Sequence, residues 1–302
     1  MLLCFEIIQQ ISSFSLSVST TLFLEKETSF KNSLPKLTSK MTLDGKSAVV
    51  IGGAGGIGVE ICKHLLMNGL SKLAILDVNE LPHDTIASIK RCNTSADVLS
   101  ATCDIANKSN LSDVLCNRVM KNFRYIDLLV NSVAILDERD PDRMIAVNLT
   151  GVINSSLLAM KLMSKEHPGG RGGTIVNVSS IAGLEPSWMC VYAASKFGVT
   201  GFSRSLGDEL IYNQTGVKCL TICPGKTDTA LLSTFHAKEN LLFCRKESQP
   251  SDYQTQSPSV VGECLVKAIF DGENGSVWIA NEGRTYKMKL PENQFLNLKD
   301  SK

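Results

Sequence analysis

From about residue 46 the chain alternates two patterns. Short apolar runs stand at 48–51, 72–76, 97–101, 126–130, 174–178, 217–222 and 276–279. Between them lie longer segments, near 57–68, 80–91, 109–122, 141–165, 190–213 and 258–271, long enough for helices and patterned for them. Continuous apolar runs predict strands buried on both faces, and strands separated by helices predict a parallel sheet. The pattern therefore predicts one α/β domain, a doubly wound parallel sheet of about seven strands with helices on both faces.

Two stretches break the alternation. Residues 1–40 are rich in Ser and Thr, and Glu6 interrupts their short apolar start. No positive charge precedes that start and the segment lacks Arg, so it fits neither a secretory signal nor a mitochondrial one. Met41-Thr42-Leu43-Asp44-Gly45-Lys46 reads as a protein start just ahead of the first strand. Residues 1–40 are expected to be a disordered leader or a product of start-site choice. The domain is expected over 41–290, with 291–302 a tail. The second stretch, 230–257, mixes Leu231, Leu232, Phe235, Leu241, Leu242 and Phe243 with Lys238, Arg245 and Lys246 before turning polar. Long irregular insertions of this kind serve as active-site lids or as plain surface loops.

Composition narrows the partners. The 302 residues are 43% hydrophobic and 20% charged, with a net charge of +1. That balance argues against nucleic acid or an anionic membrane surface as a partner. No run of 18 apolar residues is present, so no membrane-spanning helix is expected. The ten cysteines form no CxxC pair and the four histidines stand apart, so neither a zinc site nor a disulfide framework is expected. Reduced thiols predict a cytoplasmic setting. Sequons at Asn148 and Asn177 overlap the site argued below, where glycans would block it.

The first strand runs into Gly52-Gly53-Ala54-Gly55-Gly56-Ile57-Gly58. Glycines at 52, 56 and 58 give GxxxGxG, and those at 53, 55 and 58 give GxGxxG. Glycine lets the backbone turn tightly and approach a pyrophosphate, which the helix N-terminus then binds through free N–H groups. The motif is weak alone, and its setting between strand and helix strengthens it. Asp77 ends the second strand, nineteen residues past Gly58. A carboxylate there accepts from ribose hydroxyls and repels a 2′-phosphate, so NAD is expected over NADP. Asp104 and Ile105 end strand three and Asn131 ends strand four, where carboxyl ends of parallel strands border a ligand crevice.

Tyr192-Ala193-Ala194-Ser195-Lys196 places a phenol and an ammonium one helical turn apart on one face. A phenol titrates near pH ~10, and a neighbouring cation favours the phenolate. Such a tyrosine can take a proton from an alcohol or return one to a carbonyl.

Together these pieces resemble the short-chain dehydrogenase/reductase family over about residues 44–290. The glycine turn, Asp104, Asn148, Asn177-Val178-Ser179-Ser180, Tyr192/Lys196 and Pro224-Gly225 stand in its order and spacing. Ile135-Leu136-Asp137-Glu138, the 145–151 run and Asn274-Gly275-Ser276-Val277-Trp278 are most similar to insect-type alcohol dehydrogenases and NAD-dependent 15-hydroxyprostaglandin dehydrogenases. The resemblance implies a Rossmann-type fold with NAD as cofactor. It implies Tyr192 as general acid/base, and Lys196 as the group that lowers its pKa and holds the nicotinamide ribose. It implies Ser180 as donor to the substrate oxygen, and Asn148 as holder of a water behind Lys196. Asp104 would contact the adenine, Asn131 would line the adenosine side, and Thr229 would bind the carboxamide after Pro224, Gly225 and Thr227. Read on residues alone, Ser179 competes with Ser180, Asn148 could be a helix-kink residue, and Thr229 could cap the next helix.

Three positions depart from the family pattern. Ser132-Val133-Ala134 follows Asn131 where glycine is usual, the Ser180-to-Tyr192 loop is one residue short, and Ile51 replaces a threonine. Helices 141–165 and 190–213 carry more apolar surface than one core needs, and in the family they pair in a homodimer. The expected activity is NAD-dependent interconversion of a small or secondary alcohol and its carbonyl. A dehydrogenase of a larger lipid hydroxyl, or a non-catalytic dinucleotide-binding protein, are the alternatives.

Overall fold

A computed structural model describes residues 42–236 and 254–289. The expected leader and tail, and most of the expected lid, lie outside the described residues. Eight strands form one sheet: β1 (Ser47–Ile51), β2 (Lys72–Asp77), β3 (Asp97–Thr102), β4 (Leu128–Asn131), β5 (Gly173–Val178), β6 (Val217–Pro224), β7 (Val277–Asn281) and β8 (Arg284–Lys287). Their order is β3-β2-β1-β4-β5-β6-β7-β8. All neighbours are parallel except β7 and β8.

The first seven strands are those the pattern predicts. The eighth adds an antiparallel edge strand to the roughly seven expected. Arg284–Lys287 has no apolar run, because it is a largely exposed edge strand. It is held by the turn Glu282-Gly283, where both residues have positive φ (51° and 74°). That is the backbone a two-residue hairpin needs.

Every residue of β1 is buried, and neighbours along it face opposite sides. Val50 joins one core with Ile61 and Leu65 of α1 (Gly56–Met67) and Val261 and Leu265 of α8 (Ser259–Asp271). Val49 and Ile51 join the other, with Leu115, Ala159 and Val199. The helices there are α3 (Lys108–Asp113, continuing through Val114–Val119 to Met120–Phe123), α4 (Pro141–Met163) and α5 (Cys190–Leu206). Each fully buried Leu or Ile contributes roughly 1.5–3 kcal/mol. One short helix, α2 (His83–Lys90), follows β2.

Three expected helices are modified. Residues 114–119 of α3 and 146–151 of α4 form π turns, the second around Asn148. The expected helix 190–213 divides into α5 and α6 (Glu209–Thr215). At the break, a Cβ on Gly207 would stand 2.5 Å from Gly275 Cα, and the Asp208 carboxylate caps α6 by accepting from Leu210 N at 2.8 Å. By length and composition α4 could cross a bilayer, with 23 residues and mean hydropathy 1.4. It instead packs Val152, Ala159 and Met163 into the core.

The strand order reverses between β1 and β4. A crevice opens at the carboxyl ends of such strands. Gly52 follows β1 and Ser132 follows β4, so the glycine turn stands at that reversal.

Candidate active site

The glycine turn is shaped by collisions it avoids. Gly52 has φ +80°, and a Cβ there would lie 2.7 Å from Val133 backbone. A Cβ on Gly58 would lie 2.1 Å from Gly52 O, one on Gly53 would lie 2.4 Å from Ile75 Cγ2, and one on Gly56 would lie 2.9 Å from Thr229 Cγ2. Gly55 differs, since a Cβ would meet only Gly52 O at 3.6 Å. Its missing side chain leaves room in a cavity instead. Gly55 is also the N-cap of α1; it has no side chain to cap the helix, and the first turn holds no acidic residue. The free N–H groups of α1 therefore meet the cavity at Gly56, Ile57 and Gly58, while Gly55 N donates back to Gly52 O at 3.4 Å. Ser132 Oγ, on the same wall, is buried without a partner among the described residues. An open backbone cradle, uncapped N–H groups and an orphaned hydroxyl fit the phosphates of a dinucleotide.

Asp77 is buried and already works for the turn. Its Oδ2 accepts from Ala54 N and its Oδ1 from Asn79 N, each at 3.0 Å. Each oxygen keeps a lone pair for a ribose hydroxyl. Asp104 is exposed at the end of β3, where its Oδ1 accepts from Ala106 N at 2.9 Å. Ile105 is buried against Gly151 of α4. Asn131 has its side chain taken up by protein partners. Its Oδ1 accepts from Ser155 at 2.8 Å, and its Nδ2 donates to Ser156 at 3.1 Å and Asn177 at 2.8 Å. The side chain is a buried strut between β4, β5 and α4.

The proton-handling residues converge. Ser180 precedes a short 3₁₀ turn, Ile181–Gly183, which it caps by accepting from Ala182 N at 3.1 Å. It lines the same cavity as Tyr192 and its hydroxyl draws the phenol's pKa down. Lys196 is buried, with Nζ donating to Val178 O at 3.1 Å and lying 5.7 Å from the Tyr192 ring centroid. Ser179 faces the other way. Its Oγ donates to Lys196 O at 2.9 Å and meets Thr200 Oγ1 at 2.8 Å. Geometry thus selects Ser180 as the hydroxyl of the site. Asn148 is fully buried, donating to Ile135 O at 2.9 Å and accepting from Ile135 N at 2.8 Å. It is both the centre of the helix irregularity and a clamp on the chain after β4.

One expectation is corrected. Burial is the largest effect on the Tyr192 phenol and pushes it up to about 12, opposed by the Ser180 hydroxyl. Burial also holds the Lys196 ammonium down to about 8. The packing that brings the pair together strips water from both, and in the protein's own residues that outweighs the attraction expected between them.

Burial also pushes the thiols of Cys103 and Cys264 up to about 11 and those of Cys219 and Cys223 up to about 12. An unfolded thiol loses its proton near pH ~8.5, so the stability these groups contribute is full below that value and lost as pH rises toward 11–12. Lys196 has the opposite sign, gaining stability as pH rises through about 8. Burial also raises Cys62 and lowers Lys226, so five thiols oppose two lysines. Thermal melts should therefore fall between pH 9 and 11, and a flat profile there would contradict the packing of these thiols.

A cavity of about 770 Å³ connects these parts. Its polar lining includes the Gly55–Gly58 turn, Ser132, Lys196, Thr227 and Thr229, and its apolar lining includes Ile135, Leu136, Trp188, Met189, Leu231 and Leu232. Pro224 ends β6. Gly225 lies against Asn281, whose Oδ1 would be 1.8 Å from a Cβ. Thr227 turns inward, donating to Gly225 O at 2.9 Å. Thr229 lines the cavity and donates to Thr227 O at 3.4 Å. It stands just before α7 (Ala230–His236). Sequence reasoning missed Gln256, which is buried and donates to Thr227 Oγ1 at 3.2 Å and Ala280 O at 2.7 Å. It pins the 225–229 loop to β7 from the far end of the expected lid. No local spacing signals a contact 29 residues away.

A glycine turn at the reversal of a doubly wound sheet, sharing a cavity with Ser180, Tyr192 and Lys196, defines a Rossmann-type dehydrogenase. Residues 46–240 match the family model of short chain dehydrogenases. Alcohol dehydrogenase 1 of Ceratitis capitata is 40% identical over 251 residues, spanning 82% of this chain and 96% of that protein. Alcohol dehydrogenase 2 of Ceratitis cosyra is 39% identical over 250 residues, 82% of this chain and 96% of that one. The crystal structure of NAD+-bound xylitol dehydrogenase shares the fold, with TM-score 0.67 at 18% identity over 80% of this chain and 99% of that one. The chain belongs to the short-chain dehydrogenase family.

Proposed function

We propose that this enzyme is an NAD-dependent alcohol dehydrogenase interconverting a small or secondary alcohol and its aldehyde or ketone. The observation that carries this is the convergence of Ser180, Tyr192 and Lys196 on a cavity that the uncapped α1 N-terminus also lines. The alcohol dehydrogenases similar to it point to the same chemistry. A larger lipid hydroxyl and a non-catalytic binding role are not favoured.

NAD bound here supplies the acceptor for the hydride that leaves the alcohol carbon. The chain's residues do the rest. The α1 amides hold the pyrophosphate and Asp77 accepts from the adenosine ribose. Lys196 holds the nicotinamide ribose, and Thr229 holds the carboxamide. The Ser180 hydroxyl donates to the substrate oxygen and fixes it beside the phenol. Tyr192 Oη takes the alcohol proton, or gives it back to the carbonyl. Ile135, Leu136, Trp188 and Met189 exclude water and favour an apolar substituent on the carbinol carbon.

The reading includes a homodimer through α4 and α5, supported by Leu157 (48% exposed) and Phe197 (43% exposed) on those helices. It also includes a cytoplasmic setting, supported by the unpaired cysteines among the described residues, and a dehydrogenase domain over 41–290.

The test is growth of NADH absorbance with a panel from ethanol to hydroxy fatty acids and steroids. No turnover with any alcohol would overturn the reading. Wild-type protein should prefer NAD, and Asp77→Ala should relax the preference against NADP by roughly tenfold or more, the scale of one lost charge repulsion. An NADP-selective wild type would refute the role of Asp77.

A further inference from the structure

Tyr192 is the third residue of α5, inside the first turn. The first N–H groups of a helix have no partner within it, and a capping side chain normally takes those of the second and third residues. The residue at the cap position here is Met189, which cannot accept a hydrogen bond with its side chain in that way. The helix's own bonding begins one residue after the tyrosine, where Ala193 N donates to Met189 O at 2.8 Å. The amides of Val191 and Tyr192 are instead taken by a residue more than fifty positions away. Glu138 Oε2 accepts from Val191 N at 3.0 Å and Glu138 Oε1 from Tyr192 N at 2.8 Å.

Glu138 is 2% exposed. Among the described residues its carboxylate pairs with no lysine or arginine. A buried carboxylate is costly unless its oxygens are satisfied. Two amide donors and the positive end of a 17-residue helix meet that need here. The residue extends from the chain after β4, where Leu136 packs against Tyr192, Met144 and Ala182. Asn148 clamps the same chain at Ile135. Glu138 therefore ties the apolar wall of the cavity to the turn that carries the phenol.

We propose that Glu138 is a positioning residue for Tyr192, a helix cap supplied from the chain after β4 that sets the phenol against Ser180. The proposal rests on Tyr192 being the acid/base group. It places Glu138 in contact with neither cofactor nor substrate.

The experiment compares wild type, Glu138→Ala, Glu138→Gln, Glu138→Asp and Tyr192→Phe. It measures kcat and KM for an alcohol that the wild type turns over, NAD affinity by fluorescence titration, and folded fraction by circular dichroism. Glu138→Ala should lower kcat by ~10- to 100-fold per folded molecule, the scale of a slightly misplaced catalytic group, with NAD affinity within about twofold. Glu138→Asp keeps the charge and reaches one amide, so it should recover part of the loss. Glu138→Gln keeps the shape but turns an NH₂ toward one N–H, so it should fall between wild type and Glu138→Ala. If Glu138→Ala does not fold, the Asp and Gln variants carry the test. Unchanged kcat per folded molecule in all the variants that fold, or loss of NAD affinity in step with kcat, overturns the proposal. An active Tyr192→Phe would overturn the acid/base assignment instead.

Discussion

Tyr192→Phe binds NAD as the wild type does and loses turnover by about 10²- to 10⁴-fold, the range that general acid/base groups supply. The substitution removes one oxygen from a buried ring and leaves its packing against Leu136, Met144 and Ala182 in place. The fold should be undisturbed. What is lost is the phenol that shares the cavity with Ser180, and with it the group that exchanges the alcohol proton. The phenol stands high, at about 12. At neutral pH it therefore holds its proton, which suits it to give that proton to a carbonyl. Single-turnover absorbance with saturating NAD and alcohol checks the result, with a titration to confirm cofactor binding. An unchanged rate would remove Tyr192 from the mechanism.

Gly58→Ala should be nearly as damaging by a different route. The added methyl would lie 2.1 Å from Gly52 O and 2.8 Å from Gly53 Cα. Both neighbours are backbone, so no flexible side chain can give way. Either the turn opens or α1 shifts, at a cost of ~1–3 kcal/mol typical of overpacking. Spent on the cradle, that cost weakens NAD binding by roughly 10- to 100-fold and lowers the melting temperature by several degrees. Gly55→Ala is the informative contrast. Its methyl would find only an ordinary contact at 3.6 Å and point into the cavity. It should lower NAD affinity and leave the melt unchanged. Titration and thermal melts of the two variants test this, and a Gly58→Ala protein with wild-type affinity and melting point would sink the account of the turn.

The sequence was most legible where the chemistry is local. The inner strands announce themselves because both faces of a parallel sheet are buried and their residues are largely apolar, while the edge strand β3 shows only through Val98, Leu99 and Ala101. Tyr192 and Lys196 are visible as a pair because one helical turn separates them. The edge strand Arg284–Lys287 is invisible in pattern because an exposed strand needs no apolar run. The π turn at Asn148 carries no local marker either, since it follows from the clamp on Ile135.

By itself, then, the sequence determined the alternating sheet, the glycine turn, the carboxylate at the end of β2 and the spacing of phenol and ammonium. Each of these rests on neighbours within a few residues, where bond geometry and helical or strand period fix the outcome. Tertiary structure alone decided that Ser180 rather than Ser179 meets the phenol, and that Asn131 is a strut. It also decided that burial raises Tyr192, and that Glu138 and Gln256 brace the site from distant segments. Those choices depend on which buried polar atoms find partners across the fold and which groups lose their water, and no spacing along the chain encodes either.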